Sequence, residues 1–135
     1  MAGSMTDAWE NKLLDGVVGN IQCSTPQTVY LAAFTVDPGE GSDFSNEVSG
    51  GGYARVDLAG KFGSASGGQV SNNSDIVFPE ATADWGTVTH VAICQSSGGT
   101  SAEDMLVTIQ LSSGQDITSG SQFKIQSGKL TITAD

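Results

Sequence analysis

The rhythm of apolar and polar positions changes at Pro26. Before it, Trp9, Leu13 and Val17 recur every four residues with Leu14 and Val18 beside them, which predicts one amphipathic helix over residues 6–18. Asp7 stands where an N-cap belongs, and Glu10, three residues on, completes an Asx version of the capping box. Gly19-Asn20 supplies the C-terminal stop. Gly16 inside the helix costs roughly 1 kcal/mol relative to alanine. A helix this short must dock to persist, either on its own β-core or on a neighbouring subunit.

After Pro26 the texture is that of strands. Residues 28–36 form a mostly apolar run, which predicts a central strand buried on both faces. Tyr53, Arg55 and Asp57 alternate with Ala54, Val56 and Leu58, which predicts a strand over 53–62 with one wet face. A short strand over 74–78 closes at Pro79, and another covers 87–94. Met105, Val107, Ile109 and Leu111 make a clean period-two face that ends at a tight turn, Ser113-Gly114. Phe123 with Ile125, then Leu130 with Ile132, give two last strands joined at Ser127-Gly128. Seven or eight strands about ten residues apart, with no βαβ alternation, predict an all-β fold: an antiparallel β-sandwich or jelly-roll-like domain with one short N-terminal helix. The boundaries expected are residues 1–25 for an N-terminal arm and helix and 26–135 for the sandwich. Between the first two strands, residues 37–52 lack an apolar period and exceed the usual loop length, which predicts a functional or partner-ordered segment.

Composition narrows the function classes. At 135 residues the chain is one ordinary domain, able to bury a core without disulfides or metal. Charged residues are only 15%, against about 25% in typical soluble domains. The 18 glycines and the many Ser, Thr, Asn and Gln fit extracellular and virion β-proteins better than helical cytosolic enzymes. A formal charge of −10 repels nucleic acid and anionic lipid, so neither is expected as a partner. The longest apolar run, residues 30–34, falls far short of the roughly 20 needed to cross a bilayer, so no membrane span is expected. The start Met1-Ala2-Gly3-Ser4-Met5 has no apolar stretch of a signal peptide and reads as a cloning remnant or a flexible arm. Cys23 and Cys94 have no Cys or His neighbours at metal-ligand spacing. They are expected as two buried thiols, with one disulfide as the alternative.

No covalent chemistry is visible. The single histidine, His90, lies in a strand with no nucleophile-elbow pattern, and a structural role is expected. The acid pairs Glu103-Asp104, Glu80 with Asp84, and Asp37 with Glu40 and Asp43 all fall in or beside loops, where a solvated carboxylate is the ordinary outcome. Residues 37–47 offer oxygen ligands but not at the spacing of a calcium loop. Gly50-Gly51-Gly52-Tyr53 lacks the Gly-Lys-Ser/Thr ending of a phosphate loop. No catalytic residue, cofactor or metal is therefore expected.

Four stretches taken together resemble a family of small tailed-bacteriophage virion proteins usually labelled tail-fibre-like. They are Glu10-Asn11-Lys12-Leu13-Leu14-Asp15, the run from Val29 through Asp37-Pro38-Gly39-Glu40, then Glu47-Val48-Ser49-Gly50-Gly51-Gly52-Tyr53-Ala54-Arg55, and finally Phe78-Pro79-Glu80-Ala81-Thr82-Ala83-Asp84-Trp85-Gly86-Thr87-Val88-Thr89-His90. The ending Leu130-Thr131-Ile132-Thr133-Ala134-Asp135 fits as well, and residues 95–103 match least. The resemblance implies a virion structural protein made in a bacterial host's cytoplasm, with no enzyme activity. A compact domain with no fibre shaft suits a capsid cement (decoration) protein, which sits on the capsid exterior as a homotrimer. It would clamp major capsid protein subunits at local threefold junctions. The alternative is a tail or fibre-associated component that binds host surfaces. For the clamp the expected contact residues are Trp9, Leu13 and Val17 of the helix and Asp37, Glu40, Glu47 and Tyr53 of the long loop. Trp85 is a further candidate, with burial in the core as its ordinary reading.

Overall fold

A computed structural model describes residues 2–22, 25–26 and 28–134 of the chain. Cys23 lies outside the described residues, and with it both expectations about its thiol. In chain order the elements are β1 (Ala2–Met5), α1 (Asp7–Val17), β2 (Tyr30–Phe34), β3 (Val56–Asp57), β4 (Gln69–Ser71) and β5 (Ile76–Val77). They continue with β6 (Gly86–Cys94), a 3₁₀ turn (Ala102–Asp104), β7 (Met105–Ile117), β8 (Lys124–Ile125) and β9 (Thr131–Thr133). The fold is all-β with one short helix, as the alternation predicts. Seven strands form one curled sheet in the order β3-β2-β6-β7-β1-β9-β4, and β5-β8 form a separate ribbon.

The sheet is mixed where the sequence predicts antiparallel neighbours. β1 runs antiparallel to β7 (Gly3 opposite Ile109) but parallel to β9 (Gly3 opposite Ile132). β1 and β9 come from opposite ends of the described chain, so no hairpin fixes their relative direction. Residues 2–5, expected as a remnant or an arm, are thus an internal strand. Only glycine fits at the centre of it, because a Cβ on Gly3 would stand 2.5 Å from Ile109 Cγ1 and 2.9 Å from the Thr108 carbonyl.

Apolar alternation sorts side chains into two cores. On β2 and β6, Leu31 pairs with Ile93 and Ala33 with Val91, and all four enter the main core with Phe78, Trp85 and Ile109. The other face of the same strands gathers Ala32, Phe34, Ala92 and Cys94 with Met105, under the ring of Phe44. β2 is therefore buried on both faces, as its continuous apolar run predicts. The β5-β8 ribbon closes the main core by turning Ile76 and Ile125 inward.

Three local expectations need correction. Ser113-Gly114 is not a turn: β7 continues to Ile117, with Gln115 opposite Val88 and Ile117 opposite Gly86. Between these pairs and His90 opposite Gln110 the register shifts, so the extra residues bulge instead of reversing the chain. The strand expected over 53–62 forms a ladder only at Val56–Asp57, with a single further bridge from Phe62 to Asn72, and β4, an edge strand without a strong apolar pattern, is missing from the prediction. The helix N-cap is Thr6, not Asp7. Its hydroxyl makes no cap bond, since it donates to the Met105 carbonyl at 2.6 Å and ties the helix start to β7.

Candidate interaction surface

The predicted stop at Gly19 holds. Gly19 takes φ +81°, its N–H donates to the Gly16 carbonyl, and the Asn20 N–H donates to the Asp15 carbonyl, the paired bonds of a Schellman ending. At the other end the helix is fixed by the Thr6 N–H to the Leu106 carbonyl and the Asp7 N–H to the Glu40 carbonyl. Trp9 is the anchor: it is buried, its indole N–H donates to the Glu103 carbonyl at 2.9 Å, and Lys12 lies over its ring while pairing with Glu103.

The rest of the apolar stripe is not covered. A step of four residues advances the side chain about 40° around the helix, so by Val17 the stripe has turned roughly 80° away from Trp9. Leu13 is half-buried, while Leu14 is 63%, Val17 81% and Val18 68% exposed, with Ile21 just beyond at 47%. Four of the six large apolar side chains exposed among the described residues thus stand on α1 or its exit, so they form a patch and not scattered singles. Beside this flank a groove of about 540 Å³ runs between α1 and the neighbouring strands β1 and β9, lined by Met5, Glu10, Leu13, Leu14, Glu40 and Thr133 among others.

The seven residues expected at a partner surface separate. Val17, Asp37 and Glu40 are exposed, and Leu13 is half-covered on the groove wall. Trp9 faces the 3₁₀ turn. Glu47 and Tyr53 are engaged inside the molecule. The Arg55 guanidinium, 3% exposed, bonds both Glu47 carboxylate oxygens at 2.8 Å and donates to the Ser96 and Gly99 carbonyls. The Tyr53 hydroxyl donates to Glu47 at 2.6 Å and accepts from the Ala33 N–H. Burial, reinforced by the Glu47 carboxylate, pushes the phenol well above its ordinary range. The loop over 37–52 is thus ordered from within: it folds back through the Thr35 N–H to Asn46 and the Val48 N–H to Ala33, and places Phe44 on Phe34.

The two most distinctive stretches of sequence meet here. Trp85 is buried, donates its indole N–H to the Gly51 carbonyl at 2.8 Å, and packs edge-on against Tyr53 at 5.4 Å. Gly51 sits at φ +57°, and a Cβ there would press on both Trp85 and the Ala83 carbonyl at 3.1 Å. These stretches therefore serve packing. The sequence reading also misses Asn72, buried at the Ser127-Gly128 hairpin, whose side chain donates to Ser74 and Gln126 and accepts from the Leu130 N–H. One asparagine within the polar run Ser71-Asn72-Asn73-Ser74-Asp75 carries no pattern that could reveal this.

Four of the seven acids considered for catalysis, Asp37, Asp43, Asp84 and Asp104, accept hydrogen bonds that order the chain around them. Asp37 receives the Gly39 N–H, Asp43 receives both groups of Ser45, and Asp84 receives the Ser119 N–H. Burial works against the Asp104 charge, but hydrogen bonds from Ser101, Gln95 and Ser96 outweigh it and lower the pKa. Thr89, His90 and Asp37 stand in a row, with the Thr89 hydroxyl 2.8 Å from His90 Nδ1, but the His90–Asp37 gap is 3.9 Å, too long for a hydrogen bond. Among the described residues no group of three or more His, Cys, Asp or Glu is placed to hold a metal ion.

No curated protein matches this sequence. The sequence model of the family described as "Podophage GP4 fiber I protein gp80" matches residues 4–133, from the end of β1 to the end of β9, and the chain belongs to that family of phage fibre-like proteins.

Proposed function

We propose that this chain is a structural component of a phage fibre apparatus that works by docking on other virion proteins, with the outer flank of α1 as its docking surface. The observation that carries the reading is the apolar patch of Leu14, Val17, Val18 and Ile21, left open on a helix that its own domain holds by Trp9. Fully burying one such side chain contributes about 1.5–3 kcal/mol, so a partner covering the patch gains a strong contact without any change in the β-domain. The fibre role draws its support from the family description. A capsid cement role, as a homotrimer clamping major capsid protein at threefold junctions, would use the same patch and draws equal support from membership of a virion protein family.

The test is stoichiometry against the major capsid protein in purified particles. A few copies per particle are expected for a fibre or its attachment. A ratio near parity would overturn the fibre role and establish a shell clamp.

A further inference from the structure

We infer that the groove beside α1 receives a basic amphipathic segment of a partner protein, one that sets an apolar side chain between Lys or Arg residues. The inference rests on the docking reading above and names the chemistry of the occupant. Met5, Leu13 and Leu14 give the groove an apolar lining, and its charged side chains among the described residues are Glu10 and Glu40, both exposed. Among the described residues no lysine or arginine lines it. The cation on the helix, Lys12, is engaged by Glu103 at 3.2 Å, and Arg55 is buried against Glu47. Asp7 and Asp15 add further negative charge to the same helix, and the whole chain carries −10. A second copy would bring the same acidic rim against this one, and like charges facing each other oppose association. A basic segment satisfies both features at once, burying its apolar anchor while its cations meet Glu10 and Glu40. A volume of about 540 Å³ admits a few side chains, so the occupant is a short segment and not a whole domain face.

The probe is a fluorescent helical peptide with leucine on one face and lysine on the other, titrated at low salt against the full chain and followed by anisotropy. The expected result is saturable binding that Glu10→Lys/Glu40→Lys weakens by roughly tenfold or more. Leu14→Ser should weaken it too, while Asp57→Lys/Asp116→Lys, at exposed acids outside the groove, should leave it nearly unchanged. Absence of binding, equal loss in the Asp57/Asp116 variant, or equal binding of a leucine–glutamate peptide would each overturn the inference. The docking reading is judged separately by incorporation of variants into particles. Normal incorporation of Leu14→Ser/Val17→Ser would overturn docking itself. Loss in that variant, with normal incorporation of Glu10→Lys/Glu40→Lys, would preserve docking and reject the basic partner.

Discussion

Arg55, Glu47 and Tyr53 show how much of this protein is decided by single side chains. The guanidinium and the carboxylate are both largely out of water, 3% and 13% exposed, and each satisfies the other. Removing one partner leaves an uncompensated buried charge, so Arg55→Met should cost about 3–5 kcal/mol in urea denaturation. Adding Glu47→Gln, which removes that orphaned charge, should recover a measurable part of the loss. A single variant costing under about 1 kcal/mol would mean that the pair behaves as a solvated surface bridge. Nothing in the alternation around Tyr53 and Arg55 distinguishes a wet face from a polar face turned inward. Both side chains lie on the face expected to be wet, and only the loop folding over them takes them out of water.

At the scale of elements, β1 and α1 have opposite roles although they adjoin. β1 joins β7 to β9, and its loss leaves one edge of each without a partner. Each ladder hydrogen bond lost counts for roughly 0.5–1.5 kcal/mol, so removing residues 1–5 should lower the denaturation midpoint strongly. Val17→Asp, at a side chain 81% exposed, should leave stability within about 0.5 kcal/mol of the original. A truncated chain as stable as the full one would show that β1 contributes nothing to the sheet. Deleting the first nineteen residues therefore cannot separate docking from folding, because it removes a strand together with the helix. The helix was legible from the period of its apolar residues and from Gly19. β1 was not, because Ala2-Gly3-Ser4-Met5 has no strand-like alternation, and its place depends on a gap between β7 and β9 that a small side chain can enter.

Among the described residues, Cys94 and Tyr53 keep protons at alkaline pH that the unfolded chain would release. Burial pushes the Cys94 thiol up to about 12 from its ordinary 9.0, and the Tyr53 phenol is raised above its ordinary 10.0. For both groups the folded pKa exceeds the unfolded one, so the stabilisation is fully present below pH 9.0 and declines as pH rises from there toward 12. Each group contributes a slope of at most about 1.4 kcal/mol per pH unit. Melting temperature measured across this range should fall for the original chain from near pH 9. For Cys94→Ala the fall should begin about one unit later, where Tyr53 takes over. Coincident curves would show that the thiol is not held protonated by the fold.

The chain by itself determined what local pattern can determine. A period of two marked the strand through Ile109, a continuous apolar run marked β2 as buried on both faces, and a period near four marked α1. Low charge and the want of catalytic spacing pointed away from chemistry, and the four matching stretches pointed to a phage fibre-like family. Tertiary structure alone decided which polar residues face inward, because Glu47, Arg55 and Asn72 are polar in any listing of the chain and become buried only when distant segments close over them. It also decided which apolar residues face outward. Trp9 and Val17 belong to one stripe, but the sheet and the 3₁₀ turn reach only the first of them, and the 40° advance per step leaves the second in solvent.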